Sequence, residues 1–325
     1  MQETSWPLSQ PASRCPKVAS LFSLLYGCRI RSNRSIPGLT SATAGPVDVE
    51  VVFDAARPPA SEDSTPIYES SVLAVRRTPA SYHWTYRDRT EFLIGARGDR
   101  VVSFTPNGAV IEDSCLYLVG PVFGFVLRLR GVVCLHASLV VIAGRAVAFC
   151  GTAGAGKSSI VAAFSQLGYP ILAEDVAALD DRGDTLAVQP GYPRVNLWPD
   201  SVAALCGSAD GLPKITPQWE KRYLPLVPAT SFHSTPAPLA AVYILGDRIP
   251  EVQPAIRALQ PNDAFIALVA NSYTYYLLDA SMRAREFEVL GRVVRTVPVR
   301  AVSPPSDIAH MPDLCDALLD DFANL

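Results

Sequence analysis

The first part of the chain consists of short runs in which apolar and polar residues alternate. Alternation with a period of two is typical of β-strands that bury one face. Four runs of this kind predict strands, at residues 48–53, 82–86, 91–95 and 100–104. Proline, glycine, asparagine and aspartate separate the runs, and Pro58 to Pro66 is predicted to be a loop. The pattern therefore predicts a small β-rich N-terminal domain over residues 1–130.

From about Gly131 onward the apolar runs lie closer together and the period changes. Four runs predict strands, at residues 132–135, 139–142, 145–150 and 169–173. Between the last two, Ile160, Phe164 and Leu167 recur at helical spacing, which predicts an amphipathic helix that ends at Gly168. A strand, a glycine-rich turn, a helix and a strand form a βαβ unit. Such a unit predicts a parallel pair of strands with a right-handed crossover.

The last third of the chain continues the mixture of strands and helices. The pattern predicts a strand at 239–245, a helix at 263–270 and a helix at 282–290 that Gly291 closes. A final helix begins at Pro312 and is predicted to bury Leu314, Ala317, Leu318 and Phe322. Residues 131–325 are therefore predicted to form an α/β domain.

The glycine-rich turn carries the strongest chemical signal in the sequence. The segment from Gly151 to Ser158 matches the pattern G-x-x-x-x-G-K-[ST] at every fixed position. Glycines let successive backbone N–H groups point at phosphate oxygens, and the following helix adds the partial charge of its N-terminus. In this interpretation the lysine reaches the β- and γ-phosphates and the serine hydroxyl binds Mg²⁺. The predicted nucleotide-binding residues are Gly151, Thr152, Ala153, Gly154, Ala155, Gly156, Lys157, Ser158 and Ser159.

Two adjacent carboxylates follow the next predicted strand. Glu174 and Asp175 lie where α/β sheets place ligands, at the carboxyl end of a strand. One acid could hold Mg²⁺ while the other accepts a proton from an attacking hydroxyl. A solvated acidic pair at a strand end is the alternative. His136, between two apolar runs, is either a hydrogen-bonded core residue or a part of the site.

Further polar and aromatic residues are candidates with weaker signals. Basic residues near a nucleotide site can bind a transferring phosphate or an acidic substrate. The substrate-binding candidates on this ground are Arg194, Lys221 and Arg222, with exposure to solvent as the alternative. Tyr273, Tyr275 and Tyr276 are interpreted as packing residues in preference to a base-stacking platform.

Composition narrows the classes of function and location. Of the 325 residues, 49% are hydrophobic and 18% are charged, which is typical of a globular protein. The formal net charge of −3 argues against nucleic acid as a partner. Seven cysteines without a CxxC pair predict free thiols in a reducing cytoplasm. No apolar run reaches the length of a membrane-spanning helix, so a membrane partner is not expected.

The motifs together resemble a known family. Leu135-His-Ala-Ser138, the glycine loop and Leu172-Ala-Glu-Asp-Val176 are similar to segments of the catalytic domain of HPr kinase/phosphorylase. They are more similar still to HPr-kinase-like proteins of bacterial peptide-modification clusters, including those that phosphorylate lasso-peptide precursors. In that family a histidine precedes the P-loop strand, and an Asp pair follows the P-loop lysine at the spacing of Glu174 and Asp175 from Lys157.

The resemblance implies a fold and a set of roles. The implied fold is the P-loop domain of the HPr kinase/phosphoenolpyruvate carboxykinase type, with a mixed sheet. Glu174 is the implied proton acceptor, Asp175 with Ser158 the implied Mg²⁺ ligands, and His136 a phosphate- or substrate-side residue. Three departures argue against HPr as the acceptor. Glu174 replaces an aspartate, Ser159 replaces a glutamate, and the family's Pro-Val-Arg-Pro-Gly-Arg-Asn segment has no clear copy, since Val297-Pro-Val-Arg300 matches only a part of it.

The implied activity is that of an ATP-dependent serine kinase. The expected acceptor is a peptide or small protein, with a lasso-type precursor peptide as the leading candidate, and the expected cofactors are ATP and Mg²⁺. A nucleotide-binding accessory module, HPr kinase/phosphorylase proper and a small-molecule phosphotransferase are the alternatives. The N-terminal domain is a candidate for substrate recognition, and assembly into a homo-oligomer stays open.

Overall fold

The computed structural model describes residues 21–54, 63–106, 110–217, 219–250 and 253–325. The strands of the N-terminal part are β1 (Leu21–Leu25), β2 (Cys28–Ser32), β3 (Thr40–Ser41), β4 (Val49–Asp54), β5 (Thr65–Glu69), β6 (Leu73–Arg77), β7 (Ser81–Tyr86), β8 (Glu91–Gly95) and β9 (Arg100–Phe104). Those that follow are β10 (Val133–Ile142), β11 (Arg145–Gly151), β12 (Ile171–Ala173), β13 (Val176–Asp181), β14 (Leu186–Val188), β15 (Arg194–Leu197), β16 (Arg222–Pro225), β17 (Ala237–Leu245), β18 (Ala255–Ala258) and β19 (Val299–Ser303). The helices are α1 (Ile111–Tyr117), α2 (Phe123–Leu129), α3 (Lys157–Gln166), α4 (Pro199–Cys206), α5 (Pro261–Ala270), α6 (Ala280–Thr296) and α7 (Met311–Ala323).

The N-terminal part forms a nine-stranded sheet in the order β3-β1-β2-β4-β9-β8-β7-β6-β5. The strands β4, β7, β8 and β9 confirm the four strands predicted there. The predicted loop is wrong at its end, since Pro66 lies in β5; residues 55–62 fall outside the described residues. Proline is tolerated there because β5, at the end of the strand order, leaves backbone N–H groups without a ladder partner.

A helical segment that the sequence analysis did not predict follows this sheet. A π-helical turn at Leu118–Val122 joins α1 to α2, and it contains Pro121. Proline lacks the N–H that an α-helix needs, and a local π-helix accommodates that loss. Residues Phe123 to Leu127 of α2 are buried on all sides, so no amphipathic period marks the segment.

This buried helical segment joins the two halves of the molecule through one hydrophobic core. The core contains Trp84 and Phe92 from the nine-stranded sheet and Phe125 from α2. It also contains Cys134 and Val176 from strands of the second sheet. Burial of these side chains fixes the N-terminal sheet against the strands that follow it.

The second sheet differs from the predicted βαβ unit. The two predicted runs at 132–135 and 139–142 form the single strand β10, and Ala143-Gly144 at its end has φ of 50° and 75°. This geometry fits a tight hairpin, so β10 pairs with β11 in antiparallel orientation. Because β12 pairs with the other edge of β10, the predicted parallel pair of β11 and β12 is wrong. The parallel neighbour of β11 is β17.

The chain is therefore a mixed α/β protein with several sheets. The second sheet runs in the order β11-β10-β13-β14-β17-β19-β18, and β17 also pairs with β11. The predicted strand at 239–245 and the helices at 263–270 and 312 onward are confirmed by β17, α5 and α7. Gly168 adopts φ of 89° after α3, as expected for a residue that ends a helix.

Three details of the predicted helices are wrong. Leu167 is 52% exposed, because α3 ends at Gln166 and the apolar face ends with it. Helix α6 continues through Gly291 to Thr296, since a single glycine inside a packed helix costs only about 1 kcal/mol. In α7 the side chain of Ala317 is only half-buried. Among the described residues, none of the helices combines the length and the apolar character that crossing a bilayer requires.

Candidate active site

The glycine loop lies between β11 and α3, at the carboxyl end of β11. Strand β11 ends at Gly151 and helix α3 begins at Lys157, so the loop leads directly into the helix N-terminus. Gly156 precedes the helix with φ of 104°, a conformation that favours glycine. The free N–H groups of the first helical turn and the partial charge of the helix make this end attractive to phosphate.

The Lys157 side chain folds back over the loop. It is 7% exposed, and its Nζ donates hydrogen bonds to the carbonyl oxygens of Gly151 at 2.7 Å and Thr152 at 3.0 Å. Burial lowers the pKa of Lys157 below its usual value, although the nearby carboxylates oppose the change. Both hydrogen-bond acceptors of the Lys157 ammonium group are neutral carbonyl oxygens. A bound anion such as a phosphate would therefore compensate its positive charge.

Glu174 lies beside Ser158, which follows the glycine loop. Ser158 Oγ donates a hydrogen bond to Glu174 Oε1 at 2.8 Å, and Asn196 Nδ2 donates to Glu174 Oε2 at 3.3 Å. The Glu174 side chain is buried, and burial raises its pKa from 4.5 to about 7, with a further contribution from the charge of Asp175. A carboxyl group with this pKa can exchange a proton near neutral pH.

Asp175 has a different environment although it is the next residue. Tyr273 donates its hydroxyl proton to Asp175 Oδ2 at 2.6 Å, and His136 Nε2 lies 3.2 Å from Asp175 Oδ1. Burial raises the pKa of Asp175, but the hydrogen bonds from His136 and Tyr273 outweigh burial and hold the pKa below its usual value. The pair therefore combines one carboxyl that exchanges a proton near pH 7 with one that stays ionised.

A strained backbone brings both acids to the same place. Along a regular strand successive side chains point to opposite faces. Asp175 interrupts that alternation between β12 and β13 with φ of 70°, a left-handed conformation that aspartate tolerates better than most residues. Both acids consequently line one cavity of about 340 Å³ together with Lys157 and Ser158.

The same cavity shows which candidates the fold brings together. His136, Ser159 and Lys221 line it, and so does Arg248, which the sequence analysis did not identify. Ser159 Oγ donates to Ser201 Oγ at 3.0 Å, so the Ser159 hydroxyl proton is engaged by another side chain. Lys221 Nζ lies 4.9 Å from the ring centre of the exposed Trp198, in a cation–π arrangement.

The other two basic candidates lie outside this lining. The Arg194 guanidinium stacks 4.3 Å from the ring centre of Tyr223. Arg222 Nη2 forms an ion pair with Asp210 at 2.8 Å. The structure therefore does not bring Arg194 or Arg222 to the glycine loop, and their role in substrate binding stays a prediction.

Three functional candidates come from distant parts of the chain. The sequence pattern predicts a packing role for Tyr273, but its hydroxyl donates a hydrogen bond to Asp175. Asn196 joins Glu174 to the Tyr192 hydroxyl, to which it donates at 3.0 Å. Arg248 follows β17, which pairs in parallel with β11. Its position after such a strand is the one sequence signal that could have identified it.

Oxygen ligands for a magnesium ion are present in this cavity. Ser158 supplies a hydroxyl and Glu174 and Asp175 supply carboxylates, which are the donors that Mg²⁺ prefers. Within the described part of the chain, no group of three or more His, Cys, Asp or Glu side chains could hold a metal by itself. The residues fit an ion shared with substrate phosphates, as is usual for Mg²⁺ in nucleotide sites.

Comparisons with known proteins add little to what the geometry of the site shows. No family model matches the chain, and no curated protein sequence matches it. Among solved structures, the HPr(Ser) kinase/phosphatase from Coxiella burnetii is similar over 59% of this chain and 99% of that one, at 12% identity and a TM-score of 0.31. A TM-score of this size does not establish a shared fold.

Proposed function

We propose that the chain is an ATP-dependent kinase that phosphorylates a serine hydroxyl of a peptide or small protein. The observation that carries the proposal is the pair of carboxyl groups in one cavity with Lys157 and Ser158, where Glu174 accepts from Ser158 and Asp175 accepts from Tyr273. If the two acids had only a structural role, a pKa near 7 for one of them would bring no advantage. A phosphotransferase needs one group that accepts a proton and one that remains charged.

The nucleotide side of the proposal rests on the glycine loop. Lys157, Lys221 and Arg248 supply positive charge around one cavity, and the first turn of α3 supplies N–H donors. Ser158 and Asp175 would hold Mg²⁺, which when bound would neutralise charge on the transferring phosphoryl group. The loop therefore positions the γ-phosphoryl group of ATP at the acidic pair.

The transfer step follows from the position of Glu174. The serine oxygen of the acceptor forms a new bond to the γ-phosphorus while the bond from that phosphorus to the bridging oxygen breaks. The hydroxyl proton passes to Glu174 Oε2 and ADP leaves with the electron pair of the broken bond. Asp175, held ionised by Tyr273 and His136, keeps a negative charge beside the reacting groups.

One hydrogen bond favours the opposite assignment of roles to the two acids. Ser158, the expected Mg²⁺ ligand, bonds to Glu174 and not to Asp175. In that version Glu174 shares the metal with Ser158 and Asp175 receives the proton. The pKa shifts favour Glu174 as the base, because a group near pH 7 is deprotonated at the operating pH and still basic enough to accept a proton.

Transfer is tested with γ-labelled ATP, Mg²⁺ and synthetic serine peptides, including any precursor peptide encoded beside the gene. Labelled peptide is expected with the unmodified chain. Lys157→Ala should lose ATP binding by calorimetry, and with it transfer. The control Lys214→Ala, which removes a lysine paired with Glu220 outside the glycine loop, should leave both unchanged. Binding of ATP without a labelled acceptor or released phosphate would replace the kinase by a nucleotide-binding accessory module.

A further inference from the structure

A second cavity adjoins the one that holds the glycine loop. It has a volume of about 450 Å³, and it shares four lining residues with the first cavity, Glu174, Asp175, Asn196 and Lys221. A group bound in the second cavity would therefore lie beside the acidic pair and away from the glycine loop, whose residues line the first cavity and not the second. That is the side from which an acceptor hydroxyl has to approach the γ-phosphoryl group.

Aromatic rings form much of the wall of this second cavity, which we call the aromatic cavity. Tyr86 and Tyr117 stack with ring centres 3.8 Å apart, and Tyr68 and Tyr276 lie 4.3 Å apart. Trp219 meets the edge of Tyr117 at 6.2 Å. Apart from the four shared residues, none of the lining side chains carries a charge. Such a wall favours an aromatic or bulky apolar group over a charged one.

A second, independent feature of this cavity is the Tyr86 hydroxyl. Tyr86 is 7% exposed and lines the aromatic cavity, and its hydroxyl has no hydrogen-bond partner among the described residues. Tyr117, stacked against it, donates to Asp88 at 2.9 Å. Burial raises the pKa of Tyr86 well above its usual value, so the group remains a donor. A buried hydroxyl without a partner costs stability, which a ligand with an acceptor atom would recover.

The edge of the nine-stranded sheet points to a peptide as the ligand. Strand β5, which carries Tyr68 into the cavity wall, pairs with β6 alone among the described strands. Most of its residues are exposed. An exposed strand edge can bind an extended peptide through main-chain hydrogen bonds, whose side chains then enter neighbouring pockets.

We infer that the aromatic cavity receives an aromatic side chain of the acceptor peptide, close in sequence to the serine that is phosphorylated. The inference rests on the proposed kinase function and defines its substrate class. The serine lies at the acidic pair, the aromatic side chain lies between Tyr68 and Trp219, and a peptide carbonyl accepts from the Tyr86 hydroxyl. Neighbouring residues of an extended chain are spaced closely enough to occupy both places.

The first test measures binding to the cavity without any transfer. Saturation-transfer NMR with N-acetyl-phenylalaninamide should show contact of the phenyl ring with the unmodified chain, and N-acetyl-lysinamide should show none. Trp219→Ala should weaken binding of the phenyl probe. The control Phe287→Ala, an aromatic that is 67% exposed on α6 and outside the cavity, should leave binding unchanged. Absence of phenyl binding in a chain that still binds ATP would overturn the inference and leave the kinase proposal standing.

The second test measures preference in transfer. Peptides with one serine and degenerate neighbours are incubated with Mg²⁺ and γ-labelled ATP, and the labelled products are sequenced. Phenylalanine, tyrosine or tryptophan within two residues of the serine should raise kcat/KM roughly 10- to 100-fold over alanine, the range expected when a large apolar side chain is buried. Tyr86→Phe should reduce kcat/KM for all peptides and keep the preference, while Trp219→Ala should remove the preference.

Each remaining outcome of the second test decides against the inference. Equal labelling of all peptides, or a preference for charged neighbours, shows that the aromatic cavity does not select the acceptor. Labelling of small aromatic alcohols but of no peptide would make the chain a small-molecule kinase. Binding of the phenyl probe without any labelled peptide would remove the kinase proposal and the acceptor role of the cavity together.

Discussion

Replacing Glu174 with glutamine removes a buried charge and leaves the size of the side chain unchanged. The pKa of Glu174 rises from 4.5 to about 7 in the folded chain, so the folded state binds this proton more tightly than the unfolded state does. The protonated Glu174 carboxyl therefore adds to the free energy of unfolding. This contribution is fully present at pH values below 4.5, the pKa of the unfolded chain, and is lost as the pH rises through about 7. A pKa shift of this size corresponds to about 3 kcal/mol in the free energy of unfolding.

Glutamine avoids that loss and gives up part of one hydrogen bond. Its Oε1 can still accept from Ser158, but its amide nitrogen replaces the oxygen that accepts from Asn196. A lost hydrogen bond costs about 1 kcal/mol. Glu174→Gln should therefore be about as stable as the original chain near pH 5 and about 2 kcal/mol more stable at pH 8. The same variant should lose transfer and keep ATP binding, because the proton acceptor is gone.

Urea denaturation of the nucleotide-free chains at pH 5 and pH 8 measures the stability difference. Glu288→Gln is the matched control, since Glu288 is exposed on α6, and its effect should stay within about 0.5 kcal/mol at both pH values. Transfer by the original chain should fall as the pH drops below 7. Equal destabilisation of the glutamine variant at both pH values would refute the buried-charge reasoning, and unchanged turnover would remove Glu174 as the base.

Three further substitutions address other parts of the site and the fold. Tyr273→Phe removes a bond to an ionised carboxylate and should slow transfer roughly 10- to 100-fold in initial-rate assays, with ATP affinity unchanged; an unaltered rate would leave Asp175 independent of that hydroxyl. Arg248→Ala should weaken ATP about tenfold and ADP less by calorimetry; equal losses would place it away from the γ-phosphate. Arg128→Ala leaves the buried Glu286 carboxylate without its 2.7 Å partner and should cost about 3–5 kcal/mol in urea denaturation, whereas a loss under about 1 kcal/mol would contradict the buried-pair reasoning.

The parts of the site found from sequence are those that lie close together along the chain. The glycine loop and the acidic pair are contiguous motifs whose spacing reports directly on geometry. Tyr273 lies 98 residues from Asp175, and only the pairing of strands brings them together. The same limit explains the misplaced parallel pair. Local patterns predicted β11, α3 and β12, but the position of β10 between β11 and β12 depends on pairing between strands that are not neighbours in sequence.

The buried helical segment, which consists of α1, the π-helical turn and α2, links the two halves of the proposed enzyme and lies next to Asp175. A Cβ at Gly120, in the π-helical turn, would lie 3.1 Å from Asp175 Oδ2 and 3.4 Å from the Tyr273 hydroxyl. At Gly124, in α2, a Cβ would lie only 2.5 Å from the Tyr273 ring. Small residues at both positions let the helix approach the carboxylate closely, while its other side packs under the nine-stranded sheet. The segment that carries the N-terminal sheet is thus also a wall of the acidic pair. An acceptor peptide held by that sheet would be placed relative to the base by a rigid, buried connection, which is what in-line transfer between two bound groups requires.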